Sequence, residues 1–113
     1  MRPFNIYSYQ PPDWKKGEDP HPAVIVSHRE RAGRKDMVEV VICSTQRANR
    51  PPSEIELLLD EADGLDWPTL CRCDLIYAAR REDLKQVRGT VCRERQRQIA
   101  TTILAAHGWA AVL

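Results

Sequence analysis

The sequence has no long hydrophobic run, and this absence argues against a membrane-spanning helix. A span needs about 18 or more consecutive apolar residues, and no segment of the chain approaches that length. Residues 1–5 also lack the apolar stretch of a secretory signal peptide. We therefore expect a cytoplasmic protein with no membrane partner, a setting in which disulfides are rare. Four cysteines are expected to be free thiols: Cys43, Cys71, Cys73 and Cys92.

Several enzyme and metal motifs are also absent. The chain has five glycines and three histidines, and it contains no glycine-rich phosphate loop, no serine-hydrolase elbow and no His-Glu-x-x-His motif. Cys71 and Cys73 have one residue between them, whereas structural zinc sites favour about two to four and need a second ligand pair. We therefore expect packed thiols, no metal and no other cofactor.

The net charge is only +1, so it provides no overall attraction for nucleic acid, but the charges are clustered. Four cations lie within residues 28–35, and six carboxylates lie within residues 54–66. The basic stretch, with Arg29 near its start, fits a loop that faces phosphates. It fits equally well a solvated loop balanced by the acidic one, and the sequence leaves both interpretations open.

The hydrophobic pattern predicts several short strands with no helix between the early ones. Strands are predicted over residues 4–9, 22–27, 37–44, 54–59 and 69–77. Loops are predicted over residues 10–20 and 28–36, and a short helical turn over 81–87. Because strands and helices do not alternate, a parallel doubly wound sheet is disfavoured.

Near the C-terminus the pattern changes to the period of a helix. Ile99 and Ile103 lie on its apolar stripe, and Gly108 is placed to end it. The 113 residues therefore predict a single domain, 1–113, of the mainly β class with a C-terminal helix. A curled antiparallel sheet or a small barrel, with the helix packed on it, fits this order.

Arg72 and Asp74 are the first candidates for chemistry. Since the period of a strand is two residues, both side chains lie on one face of the predicted strand over residues 69–77. Their Cα atoms would be about 6.5–7 Å apart, close enough for both side chains to contact one ligand. A carboxylate beside a fixed cation suits phosphodiester chemistry. On the pattern alone, an ordinary surface ion pair is the simpler interpretation.

His21 is a candidate proton carrier. It lies between Pro20 and Pro22, directly before a predicted buried strand. The two prolines restrict the backbone and would hold the imidazole in a defined direction. Histidine is also the side chain best matched to proton transfer near neutral pH. A histidine at a strand entrance is nevertheless more often a rim residue.

The end of the predicted strand over residues 37–44 is rich in hydrogen-bonding side chains. These are Ser44, Thr45, Gln46 and Arg47. Hydroxyl, amide and guanidinium groups suit phosphates and base edges. The same residue types are also the usual polar residues of a turn.

Several fragments, taken in order, resemble the MazF/Kid/PemK family of toxin–antitoxin ribonucleases. His21-Pro-Ala-Val-Ile-Val-Ser27 is similar to the family's Arg-Pro-Ala-Val-Val-Leu-Ser strand, and Val41-Ile-Cys-Ser-Thr-Gln46 to its Val-Pro-Cys-Thr-Thr-Gln segment. Arg72-Cys73-Asp74 matches an Arg-Cys-Asp of Kid. The resemblance covers about residues 20–108.

The resemblance implies an SH3-like barrel of the CcdB/MazF/PemK type with a C-terminal helix. It implies a homodimer that cleaves single-stranded RNA at short sequences without a metal. It also implies a cognate antitoxin that occupies the RNA groove, with DNA binding by the toxin–antitoxin complex as a further expectation.

The resemblance also implies roles for individual residues. Asp74 would be the base that takes the 2′-hydroxyl proton, and Arg72 the acid or the charge clamp. Because arginine stays protonated, we favour the clamp for Arg72. The family usually has arginine where this chain has His21, and His21 is the better candidate for the acid. The expected RNA contacts are Ser44, Thr45, Gln46, Arg47 and Arg29.

A second function class stays open at this point. A homologue that keeps the barrel but has lost cleavage would bind a protein, such as an antitoxin or a gyrase-type target, or a nucleic acid. The two classes differ in whether His21 points into the same cleft as Arg72 and Asp74.

Overall fold

A computed structural model describes residues 1–12, 19–45 and 50–113. These residues form an antiparallel sheet of seven strands and a long C-terminal helix. The strands are β1 (Asn5–Tyr9), β2 (His21–Ile25), β3 (Met37–Thr45), β4 (Glu56–Leu59), β5 (Thr69–Arg72), β6 (Tyr77–Arg80) and β7 (Leu84–Thr90). The helices are α1 (Arg29–Arg34) and α2 (Arg93–Ala106), with short 3₁₀ turns at Glu61–Asp63, Arg81–Asp83 and Trp109–Val112. The predicted fold class is confirmed.

Strand β3 is the centre of the sheet. The strands follow the order β4-β5-β3-β2-β1-β7, and β6 also pairs with β3. One edge of β3 pairs with β2, and the other edge is shared by β6 in its first half and β5 in its second half. Every pairing is antiparallel.

The two faces of the central strands bury separate apolar clusters. Successive side chains of a strand point to opposite faces, so Val24 and Val41 enter one cluster while Ile25 and Val40 enter the other. The first cluster is closed by α2 through Ile99, which is fully buried. Burial on both faces explains why β2 is a continuous apolar run and not an alternating one, as predicted for this strand.

The predicted loop over residues 28–36 is wrong for its central part, which forms helix α1. His28 caps this helix, because its Nδ1 accepts a hydrogen bond from the backbone N–H of Glu30 at 3.2 Å. Ala32 is fully buried in the second apolar cluster. A single buried alanine among charged residues gives too weak a periodic pattern to predict a helix from sequence.

The predicted strand over residues 69–77 is interrupted. Cys71 pairs with Cys43, and Tyr77 pairs with Val40, so five residues (72–76) on this side face two (41–42) on β3. The extra residues cannot join the ladder and leave it between β5 and β6, as in an enlarged β-bulge. The segment 73–76 is therefore irregular, and it directly follows Arg72.

The predicted helical turn over residues 81–87 is wrong in its second half. Only Arg81–Asp83 forms a 3₁₀ turn, and strand β7 begins at Leu84. β7 pairs with β1, with register shifts along the pair. Pairing with β1 supplies backbone hydrogen bonds that keep this segment extended. The i, i+3 spacing of its apolar residues does not reveal that pairing.

A buried carboxylate joins the loop after β4 to the start of α2. Asp63 is almost fully buried and accepts hydrogen bonds from the backbone N–H of Cys92 at 2.8 Å and of Asp60 at 2.9 Å. The guanidinium of Arg95 bonds both Asp63 at 2.6 Å and Asp60 at 2.7 Å. This network fixes the position of α2 over the first apolar cluster.

The same loop contacts β7 so closely that one position admits only glycine. We expect Gly89→Ala to lower the free energy of unfolding by about 2–4 kcal/mol, because the added Cβ would overlap the carbonyl oxygen of Asp63. Chemical denaturation measures the change. Gly33→Ala is the control: a Cβ there meets no atom within 4 Å, and alanine is favoured over glycine within a helix. Equal stabilities for the two variants would contradict the close approach.

Candidate active site

The strand pairing brings His21, Ser44 and Arg72 to one groove. Ala23 pairs with Ile42 in the antiparallel pair of β2 and β3, and this register continued by two residues places His21 opposite Ser44. Ser44 in turn pairs with Leu70, two residues before Arg72. The groove has a volume of about 150 Å³ and is lined by His21, Ile42, Ser44, Arg72, Leu75 and Tyr77. We call it the central groove.

Arg72 and Asp74 form a bidentate ion pair at the rim of this groove. Arg72 Nε donates to Asp74 Oδ1 at 2.6 Å, and a terminal nitrogen donates to Oδ2 at 3.1 Å. The hydrogen bonds from Arg72 hold the pKa of Asp74 below its ordinary value, and Asp74 raises the pKa of Arg72. Both groups are therefore charged at neutral pH. A guanidinium has five N–H donors, so the pairing orients Arg72 and leaves donors for a ligand.

A second ion pair stands beside the first. Glu56 is the β4 partner of Arg72 in the ladder, but its carboxylate is held by Arg50, with hydrogen bonds of 2.8 and 2.7 Å. This contact lowers the pKa of Glu56 to about 2. Because Glu56 is already paired, Arg72 is oriented by Asp74. Arg50 and Glu56 were not predicted as site residues, since nothing in their spacing indicates the pair.

His21 is oriented by the backbone of β3. Its Nδ1 lies 3.0 Å from the carbonyl oxygen of Cys43. Since a carbonyl can only accept, Nδ1 carries the hydrogen, and the neutral ring has its lone pair on Nε2. The strand pairing therefore fixes both the direction and the tautomer of a half-buried imidazole at the central groove.

A larger groove adjoins the central one. Its volume is about 390 Å³, and it is lined by Asp19, Pro20, His21, Pro22, Ser44, Thr45, Trp67 and Arg88. We call it the Trp67 groove. It shares His21 and Ser44 with the central groove, so the two grooves adjoin at these residues. Three of the groove residues were not predicted from the sequence: Trp67, Arg88 and Tyr77. A tryptophan directly before Pro68 in a polar loop is a sequence signal that could have indicated Trp67.

The remaining predicted RNA contacts have different positions. Thr45 lines the Trp67 groove, beside Ser44. Arg29 begins helix α1, beyond the opposite end of β2 from His21, and lines neither groove. Gln46 and Arg47 fall outside the residues that the structure describes.

The cysteines behind the site are packed thiols. Cys43, Cys71 and Cys73 are fully buried in the first apolar cluster. A hydrogen bond with Cys43 is the largest factor that raises the pKa of Cys71, and a hydrogen bond with Cys71, together with burial, raises that of Cys73. Neutral thiols are poor nucleophiles and poor metal ligands. Among residues 1–12, 19–45 and 50–113, no three His, Cys, Asp or Glu side chains are grouped so as to hold a metal.

The family model of the PemK-like, MazF-like toxins of type II toxin–antitoxin systems matches residues 2–107. The chain belongs to this family. The resemblance drawn from the sequence fragments is thereby confirmed, and over a longer stretch than the fragments cover. No curated protein is significantly similar to the chain in sequence.

Solved structures of MazF-type proteins have the same fold as this toxin. An endoribonuclease from a Mycobacterial species has a TM-score of 0.78 at 19% identity, covering 96% of this chain and 91% of that one. An endoribonuclease in complex with its cognate antitoxin, also Mycobacterial, has a TM-score of 0.75 at 19% identity, covering 96% and 93%. Mycobacterium tuberculosis toxin MazF-mt6 has a TM-score of 0.74 at 20% identity, covering 90% and 94%.

The structure also shows whether any of its helices could span a membrane. In the part of the chain that the structure describes, no helix is long and apolar enough to span a bilayer.

Proposed function

We propose that this toxin is an endoribonuclease that cleaves single-stranded RNA by attack of the 2′-hydroxyl on the adjacent phosphate, without a metal. The observation that carries the proposal is the meeting of His21, Ser44 and Arg72 in the central groove. This reaction needs a base for the 2′-hydroxyl proton, an acid for the departing 5′-oxygen and positive charge for the phosphorane. Arg72 supplies the charge, His21 is a proton carrier, and Ser44 adds a hydrogen-bond donor for the phosphate. Two solved structures with this fold are described as endoribonucleases, which supports the same activity here.

Arg72 stabilises the charge of the transition state. Attack of the 2′-oxygen gives a phosphorane with an additional negative charge, and a preoriented guanidinium stabilises that charge more than it stabilises the substrate. Asp74 holds the guanidinium in place through two hydrogen bonds. Ser44 offers a hydroxyl to a phosphate oxygen on the other side of the groove.

His21 and Asp74 are the candidates for proton transfer. Asp74 is ionised and can accept the 2′-hydroxyl proton, although its ion pair with Arg72 weakens it as a base. The protonated imidazole of His21 can donate to the departing 5′-oxygen through Nε2, since Nδ1 is engaged with Cys43. Such a donor typically contributes about 10²–10⁴-fold to the rate.

Removing either member of the ion pair is expected to abolish cleavage. We expect Arg72→Ala and Asp74→Asn to lose about 100-fold or more of the activity on single-stranded RNA in EDTA, because the charge clamp is lost or no longer oriented. Both residues lie at the surface, so circular dichroism and the unfolding midpoint should change little. The measurement is a digest of a long RNA by each purified variant.

A matched control uses an ion pair far from the groove. Glu30 and Arg34 form an exposed pair on α1, and Arg34→Ala should cleave RNA as the wild type does. RNA left intact by folded wild-type protein would contradict the proposal and favour a binding protein that has lost cleavage.

Proton transfer by His21 can be tested by measuring how the cleavage rate depends on pH. We expect His21→Gln to cleave about 100-fold more slowly and with a different dependence on pH, because glutamine cannot donate a proton to the leaving oxygen. His21→Arg, which restores the residue usual in the family, should keep cleavage. A His21→Gln profile parallel to that of the wild type would contradict proton transfer by His21.

We also propose that the toxin is a homodimer and binds a cognate antitoxin. One solved structure with this fold is a complex with its antitoxin. Leu75 and Ile76, in the irregular segment between β5 and β6, are exposed apolar side chains. Burial of this patch against a second copy of the chain would remove its apolar surface from water.

The dimer has a direct test in solution. Light scattering should give twice the 13.0 kDa of the chain, and Ile76→Asp should halve the mass, because a carboxylate is costly to bury. Val112→Asp, at an exposed residue of the C-terminal turn, is the control and should stay dimeric. A monomeric wild type would contradict the proposal.

A further inference from the structure

Trp67 exposes more than half of its surface, although it is a large apolar side chain. It lies in the loop that leads into β5 and directly precedes Pro68, which restricts its backbone to extended conformations. The hydroxyl of Thr69 donates to the carbonyl oxygen of Trp67 at 3.0 Å. Thr69 is itself buried and pairs with Thr45 of β3. The indole is thus presented to solvent from a restrained backbone next to the sheet.

The other side chains of the Trp67 groove have mixed chemistry. Pro20 and Pro22 supply apolar surface, Arg88 a cation and Asp19 a carboxylate. The carboxylate of Asp19 in this groove disfavours a phosphate, since like charges repel. An aromatic face, a hydrogen-bond acceptor and a guanidinium together suit a nucleobase, which has a π face and both donors and acceptors on its edge.

The position of this groove relates it to the reaction. It shares His21 and Ser44 with the central groove, so an RNA strand whose scissile phosphate lies at Arg72 can place a neighbouring base in the Trp67 groove. Its volume of about 390 Å³ falls within the range of small-ligand pockets. Unpaired bases stack on aromatic side chains in single-strand recognition generally.

We propose that the Trp67 groove holds one unpaired base of the RNA substrate, stacked on the indole of Trp67, with Arg88 and Asp19 at its edge. This inference rests on the proposed ribonuclease function and names one of its substrate contacts. The base takes no part in the bonds that form and break, so its binding energy is the same in the substrate and in the transition state. Loss of the contact therefore raises KM and leaves kcat nearly unchanged.

Fluorescence tests the stacking without requiring cleavage. The chain has three tryptophans, Trp14, Trp67 and Trp109, so the double variant Trp14→Phe/Trp109→Phe reports on Trp67 alone. The probe is a random-sequence 2′-O-methyl oligonucleotide, which has no 2′-hydroxyl to attack. We expect quenching of the Trp67 emission on titration. Binding seen by anisotropy with no change in that emission would overturn the proposal.

Substitutions of tryptophan provide a second test of the proposal. Trp67→Ala should weaken binding of the same oligonucleotide by roughly 5- to 150-fold, since a stacked base contributes about 1–3 kcal/mol, whereas Trp67→Phe should lose only a few-fold. Trp109→Ala is the matched control: its indole is also about half exposed, but it stacks on His107 at the C-terminal end of α2 and lines neither groove. Equal binding by Trp67→Ala and the wild type would overturn the proposal.

The outcomes separate this inference from the proposed function. Quenching and weakened binding in a protein that fails to cleave RNA would support the base site and contradict the ribonuclease. Cleavage with an unchanged KM in Trp67→Ala would support the ribonuclease and contradict the base site. If Trp67→Ala lost binding of an antitoxin peptide but not of RNA, the groove would belong to the antitoxin and the proposal would be wrong.

Discussion

The pairing of β3 along both of its edges is the constraint on which the rest of the structure depends. On one edge it holds β2, and this pairing sets His21 beside Ser44 and gives the His21 imidazole its carbonyl partner at Cys43. On the other edge it holds β5 and β6 in succession. Because both faces of β3 are also buried, a slip of one residue would turn every side chain of the strand to the wrong apolar cluster.

The extra residues between β5 and β6 form part of the candidate active site. Arg72 is the last residue of β5, and Asp74 lies in the irregular segment that follows it. The carboxylate of Asp74 accepts two hydrogen bonds from the guanidinium of Arg72. Leu75, from the same segment, lines the central groove with Arg72. The irregular segment therefore supplies both the carboxylate that orients the cation and part of the wall of the groove.

Most strands could be predicted from the residue pattern. A strand buried on one face alternates apolar and polar residues, and a strand buried on both faces is a continuous apolar run. It missed helix α1, whose charged residues surround a single buried alanine, and it missed the break in the strand over residues 69–77, where alternation continues but pairing does not. Arg50, Glu56 and Trp67 were missed for a related reason. Arg50 pairs with Glu56 and Trp67 borders residues from other segments of the chain, and no local residue pattern encodes such contacts.

The sequence by itself determined the mainly β class, the C-terminal helix, the free thiols and, through the order of its fragments, the toxin family. It also determined that Arg72 and Asp74 stand two residues apart. Only the tertiary structure decided that His21 and Ser44 meet Arg72 in one groove and that Trp67 borders the adjoining groove. The physical reason is register: the partner of a residue in a neighbouring strand is fixed by packing of the whole sheet and not by the residues adjacent to it in the chain.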